Sequence, residues 1–251
     1  MTSSLCLRVP DSPDASRTVD LAFKPGELSV CIGMPANRDI PFPTAMSLAR
    51  TAHACAVRGI PFEIEALPGS SIVTTARSTV AHRFLQGKSS RLFWVDSDIE
   101  WDAQDFLRLL AFSSEMDVVC AAYPIKSDAR TAYVIRHPNV KTFKMHPLGC
   151  IGIEGTGLGF TVMTREVVER VSAKKPQVLN QASGETMAEL FRIDTADGAI
   201  RGEDIAFFED IRAEGYEVWL DPTINLGHVG QKVYRGDVVK ALRLEHVYAK
   251  A

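Results

Sequence analysis

Hydrophobic positions along this chain come in short blocks, and the period within the blocks switches between two and about three and a half. Apolar runs rich in β-branched and aromatic residues, the pattern of buried strands, lie at Leu28–Met34, Phe62–Ala66, Leu92–Val95 and Asp117–Ala122. Helical periodicity separates them. Thr44–Arg58 carries Ala45, Leu48, Ala49, Ala52 and Ala56 on one small-residue face and stops at Gly59; Thr74–Leu85 follows, then Ala103–Phe112 behind Asp102 as N-cap. This β-α-β-α-β-α-β order predicts an α/β fold: one domain with a mostly parallel central sheet flanked by helices. Ligands of such sheets bind at the carboxyl ends of the strands.

Beyond Pro124 the alternation loosens. Ile151–Ile153 and Phe160–Met163 read as strands, Arg165–Val171 as a helix, Leu190–Ile193 as a short strand and Glu203–Glu214 as a helix closed by Gly215. Strand Glu217–Leu220 and a helix from about Asp237 complete the pattern. The expected organisation is an N-terminal extension (1–27), loosely ordered over its Pro-, Asp- and Ser-rich residues 10–26, then a catalytic domain (28–235) and a C-terminal helix (236–251).

Composition changes this picture little. With 251 residues, 46% hydrophobic and 24% charged, the chain can bury a sizeable core. A net charge of −3 advertises neither nucleic acid nor an anionic membrane. The five cysteines are scattered without Cys-x-x-Cys spacing, so neither a disulfide framework nor a zinc site is suggested. No apolar run approaches the length of a membrane span, and residues 1–10 lack the pattern of a secretory signal, so a cytoplasmic location is expected.

The chemistry concentrates where the run Leu92–Val95 ends in Asp96-Ser97-Asp98. Two like charges ~4 Å apart repel by about 4 kcal/mol at an effective dielectric of ~20, a costly arrangement at the end of a buried strand. A hard divalent cation, Mn²⁺ or Mg²⁺, relieves that repulsion and usually brings substrate phosphates with it. The plainer alternative is a loop-start pair that caps the following helix. Downstream lie Glu154-Gly-Thr-Gly-Leu-Gly-Phe160, then Gly202-Glu-Asp204, then Asp221-Pro-Thr-Ile-Asn-Leu-Gly-His228; upstream lies Thr75-Ala-Arg-Ser-Thr79. Gly155, Gly157 and Gly159 suit either close approach of a ligand or a plain tight turn. Glu203 and Asp204 would be stabilised in a helix's first turn whatever else they do.

In this order and at these intervals, the motifs of residues 28–235 resemble those of GT-A fold glycosyltransferases, particularly the family 2-like branch of bacteria and phages. The resemblance implies a metal-dependent enzyme with a Rossmann-like GT-A sheet, which moves a sugar from a nucleotide-diphosphate sugar to a hydroxyl acceptor. It implies that Asp98 holds the Mn²⁺ (or Mg²⁺) bridging the donor diphosphate. Asp96 would hold the ribose or contact the metal through water, and His228 would add a further metal contact. Donor binding would also involve Pro35, at the Met34-Pro35-Ala36-Asn37 strand end, and Arg77. Gly155, Thr156 and Gly157 would form the acceptor loop. Asp204 would take the acceptor's proton while Glu203 orients the acceptor. A UDP-sugar is expected ahead of a GDP-sugar.

The acceptor expected from the resemblance is a glycan or lipid-linked glycan. Residues 124–149 offer a second possibility, because they carry Lys126, Arg130, Arg136, Lys141 and Lys144 against Asp128, with Tyr133 and Phe143 interleaved. An irregular segment of this length is uncommon in a compact domain unless functional or disordered. A mobile cationic wall there would suit an anionic acceptor such as DNA carrying hydroxymethylated bases. Two further readings stand beside these. One is a non-catalytic sugar-nucleotide or glycan-binding relative. The other is a haloacid-dehalogenase-type phosphatase, which Glu100 and Trp101 after the acid pair disfavour.

Overall fold

The computed structural model describes residues 5–10, 18–23, 27–36, 38–138, 142–196 and 198–248; Asn37 and Lys141 lie outside the described residues. Seven strands form the central sheet, numbered here in chain order: β1 (Val30–Ala36), β2 (Phe62–Pro68), β3 (Arg91–Val95), β4 (Val118–Cys120), β5 (Ile151–Ile153), β6 (Phe160–Thr164) and β7 (Val218–Leu220). Their spatial order is β2-β1-β3-β6-β4-β7-β5. The β2-β1-β3 pairings and the β4-β7 pairing are parallel. Strand β6 runs antiparallel to both β3 and β4, and β5 runs antiparallel to β7. The sheet is thus mostly parallel, as its interleaved helices require.

Helices α1 (Phe42–Val57) and α3 (Ala103–Phe112) cover one face; α2 (Val73–Gln86), α4 (Arg165–Ala173) and α5 (Glu203–Ala213) cover the other. The first core is built on Ile32, Phe93, Phe106 and Phe160, with Phe93 and Phe106 stacked 4.1 Å apart; the second is built on Trp94, Phe191, Phe207 and Phe208. Cys31, Cys55, Cys120 and Cys150 are free and buried. Among the described residues no helix is long and apolar enough to cross a membrane.

Several elements depart from the sequence pattern for identifiable reasons. Strand β1 continues past Pro35 because β3 stops pairing at Gly33, leaving β2 as the partner over Met34–Ala36. Helix α1 buries Thr44, Ser47, Thr51, Ala54 and Cys55, not the alanine face. Trp101 decides this. Its backbone N–H donates to Ser47 Oγ (3.0 Å), its carbonyl accepts from Ser47 Oγ (2.7 Å) and its indole N–H donates to Thr51 Oγ1 (2.8 Å). Buried polar groups must find partners, and Trp101 draws the hydroxyl face inward.

The expected strand at Leu190–Ile193 does not form. Leu190 and Phe191 are buried side chains between two hairpins, Gln177–Leu179 with Thr186–Ala188 and Asp194–Ala196 with Ala199–Arg201. In place of a wholly loose N-terminal segment, Leu5–Pro10 pairs antiparallel with Thr18–Phe23. The C-terminal region holds two four-residue helices, Val238–Ala241 and Glu245–Tyr248, and between them Arg243 takes φ 57°, a left-handed conformation that cannot continue a helix.

Candidate functional site

Strands β1, β3 and β4 end on the same side of the sheet. There the chain places Pro35 and Ala36 at the end of β1, Asp96–Asp98 after β3 and Tyr123 after β4, around a cavity of about 560 Å³ that Arg77 and His228 also line. A second cavity of about 560 Å³ adjoins it, lined by Lys126, Thr156, Gly157, Glu203 and Asp204 among others. Tyr123 and His228 line both cavities and pack edge to face, 5.0 Å apart.

His228 reaches this position through a small separate sheet. Gly227–Val229 pairs antiparallel with Ile99–Glu100, so that His228 lies opposite Ile99, directly after the acid pair. Val229 N–H donates to the Asp98 carbonyl (2.7 Å), and His228 Nδ1 lies 2.8 Å from the Pro124 carbonyl, an acceptor only. Nδ1 must therefore carry the proton, which in the neutral ring leaves the Nε2 lone pair facing Asp98 Oδ1 at 3.5 Å. The other Asp98 oxygen accepts from Lys126 Nζ at 2.5 Å. Burial alone would raise the Asp98 pKa, but the hydrogen bond and charge of His228 when its ring is protonated, together with those of Lys126, outweigh it and hold the carboxyl below its ordinary range.

The Asp96 carboxylate is differently employed. Oδ1 accepts from Arg77 Nη2 (3.0 Å) and Oδ2 from the Tyr123 hydroxyl (2.9 Å). Arg77 is not a solvated helix residue: its side chain is 3% exposed, and the same Nη2 lies 3.2 Å from Asp204 Oδ1, with Nε 3.6 Å from Glu203 Oε1. Burial would lower the Arg77 pKa, but Asp204, Asp96 and Glu203 together raise it, so the guanidinium stays charged. One nitrogen thus ties an aspartate of the first cavity to an aspartate of the second. Burial pushes Asp204 up to about 6, against the pull of Arg77 and with help from the Asp96 and Glu203 charges.

Glu203 and Asp204 open α5 after Gly202, which provides no capping side chain. Thr156 is buried, donates to the Val134 carbonyl (2.7 Å) and, like Gly157, lines the second cavity. Gly155 instead lies against Phe208, where a Cβ would come 3.1 Å from the Phe208 Cβ. A Cβ on Gly157 would come within 2.8 Å of Tyr123 Cζ. The glycines of this loop therefore serve close packing beneath the site.

Sequence reasoning passed over Tyr123. The rule that singled out Asp96, a polar residue just beyond the end of a parallel strand, applies equally to it. Asp221, quoted within the His228 motif, is a buried partner of Arg108 (2.6 Å) and belongs to the core. The cationic wall is largely neutralised: Arg136 pairs with Glu209 (3.5 Å), Lys144 with Glu217, and Lys126 with Asp98. Acids from neighbouring elements, absent from the local segment, thus offset three of its cations.

Among the described residues no group of three or more His, Cys, Asp or Glu side chains is arranged to hold a metal ion. Asp98 and His228 nevertheless fit a divalent cation in part. A carboxylate oxygen and an imidazole lone pair face each other without a proton between them in the neutral state, and oxygen with imidazole suits Mn²⁺. Each Asp96 oxygen accepts one hydrogen bond, from Arg77 and from Tyr123, and keeps a second lone pair.

No protein-family model matches the chain, and no curated protein matches it. Among solved structures the chain is similar to GalNAc-T7 with UDP, GalNAc and Mn²⁺, at 11% identity and TM-score 0.50 over 88% of this chain and 48% of that one. It is also similar to a glycosyltransferase involved in glycosylation of the major capsid of PBCV-1 (15% identity, 57% of this chain and 63% of that one, TM-score 0.30). A third is S. aureus TarS 1-349 (10% identity, 88% and 65%, TM-score 0.42). The chain spans about half the length of the GalNAc-T7 chain. The fold is GT-A.

Proposed function

We propose that the chain is a glycosyltransferase, its catalytic unit residues 28–235, which moves a sugar from a UDP-sugar to the hydroxyl of a glycan or lipid-linked glycan. The observation that carries this reading is the pairing of two adjoining cavities across Tyr123 and His228. One is lined by Asp96, Asp98 and His228, the other by Glu203 and Asp204. A group-transfer enzyme needs this: a donor pocket and an acceptor pocket that meet where the bond breaks.

Asp98 and His228 are the residues that would hold a divalent cation, whose chemistry when bound is to neutralise the leaving diphosphate. Pro35 and Ala36, at the end of β1, form the part of the first cavity that suits the nucleotide. Asp96 is held rigidly by Arg77 and Tyr123, so its role is to fix the donor's orientation. Asp204 accepts the proton of the attacking hydroxyl; a carboxyl raised to about 6 is a stronger base than an ordinary aspartate and is still mostly ionised at neutral pH. Glu203 beside it orients the acceptor. Ion-paired Arg136, Lys144 and Lys126 favour a neutral glycan over DNA.

The direct test is release of nucleoside diphosphate from a panel of UDP- and GDP-sugars with Mn²⁺, first with water and then with an acceptor panel. UDP release from one donor, accelerated by an acceptor, supports the reading. No turnover or binding of any nucleotide-sugar would remove it, and binding without turnover would favour a non-catalytic relative.

A further inference from the structure

Lys126 belongs by sequence to the cationic segment expected to attract an acceptor. Its stem runs along the second cavity, yet its ammonium ends on Asp98, a lining residue of the first. The backbone around it is tied down. Pro124 bridges to Tyr133 and accepts from His228 Nδ1, Ile125 N–H donates to Ala132 O (2.8 Å), and Ser127 N–H donates to Ile125 O (2.9 Å). The stem crosses Gly230, where a Cβ would stand 3.2 Å from Lys126 Cδ. A fixed root, a long flexible stem and a bare glycine to cross together allow the ammonium to change partners within the cavity.

Asp98 is therefore a carboxylate with its charge already answered. A bare divalent cation must compete with the ammonium for Oδ2 and then stand close to it as a like charge. A diphosphate changes that balance, because its oxygens give both cations a partner and lysine serves phosphate well as a compact point charge. We propose that Lys126 is a donor-site residue: it holds Asp98 while no donor is bound and transfers to the diphosphate when the nucleotide enters. Divalent cation and nucleoside diphosphate then bind cooperatively, each weakly alone. The inference rests on the reading of Asp98 as part of the donor site.

The test measures binding, not turnover. Mn²⁺ affinity is read from the free-ion EPR signal for the full chain and for Lys126→Met, with and without UDP, after circular dichroism confirms that the variant folds. Lys126→Arg keeps the charge as a control. Without UDP, Lys126→Met should bind Mn²⁺ about two- to fivefold more tightly than the native chain, the scale of a solvent-accessible ion pair. The mutual enhancement of UDP and Mn²⁺ binding, equal in both directions by linkage, should shrink in Lys126→Met and persist in Lys126→Arg. Equal Mn²⁺ affinity and equal coupling in all three proteins would overturn the proposal. If none of them binds Mn²⁺ even with UDP, the metal reading of Asp98 fails separately. UDP titration in chelator then decides Lys126 alone: weaker binding by Lys126→Met supports a diphosphate contact, and unchanged binding overturns it.

Discussion

Gly159 lies directly against the side chain of Asp96. Its carbonyl accepts the Asp96 backbone N–H at 3.0 Å, and a Cβ at this glycine would sit 2.8 Å from the Asp96 Cβ and closer still to the carboxylate. The same Gly159 donates its N–H to the Tyr123 hydroxyl (3.3 Å), which in turn donates to Asp96. The last glycine of the Gly-Thr-Gly-Leu-Gly loop is thus a seat for Asp96, an aspartate of the first cavity.

Gly159→Ala should push Asp96 out of its seat. Overpacking of this kind typically costs about 1–3 kcal/mol. Thermal denaturation should show a lower Tm with the fold retained, and nucleotide affinity should fall. An unchanged Tm together with unchanged UDP binding would show that the glycine matters only for the turn.

Removal of Asp98, the proposed metal ligand, should be separable from removal of the fold. Asp98→Ala should abolish donor turnover and leave the circular dichroism spectrum intact. The native chain should lose turnover in excess chelator and recover it on adding Mn²⁺. Full activity in chelator would make the enzyme metal-independent.

Asp204 sets the expected pH dependence. Its carboxyl is raised to about 6, and as the proposed base it would act in its ionised form, so kcat should fall as pH drops through about 6. Asp204→Asn should lower kcat by about 10²–10⁴ with donor affinity nearly unchanged, and should flatten that acid limb. A variant that loses donor affinity but keeps its rate would make Asp204 a binding residue.

Arg77 holds three carboxylates together at once. Arg77→Met leaves these half-buried groups without a counter-charge, so the loss should fall below the about 3–5 kcal/mol that breaking a fully buried pair costs. The sign with pH follows. Without Arg77 the folded-state pKa of Asp204, already raised, moves further above its unfolded value, so the variant keeps stability in acid and loses it as pH rises. The Tm deficit against the native chain should therefore be smallest near pH 4 and grow toward pH 8. A deficit independent of pH would assign the loss to packing against Trp94 and Phe191 instead.

The sequence alone determined the elements and the ends at which chemistry is displayed. Leu92–Val95 is short, apolar and abruptly acidic, and such local contrasts suffice to place Asp96 and Asp98 at the tip of a parallel strand. The acids of the first turn of α5 were legible for the same reason. Tertiary structure decided which partners those residues meet. His228 faces Asp98 because Gly227–Val229 pairs with Ile99–Glu100, a register that no local pattern encodes. Helix α1 turned its hydroxyls inward because Trp101, distant in sequence, needed hydrogen-bond partners. Lys126, Arg136 and Lys144 looked free along the chain but found Asp98, Glu209 and Glu217 in space. Periodicity is a property of neighbours in sequence, whereas charge compensation and hydrogen-bond satisfaction are settled between whichever groups the fold buries together.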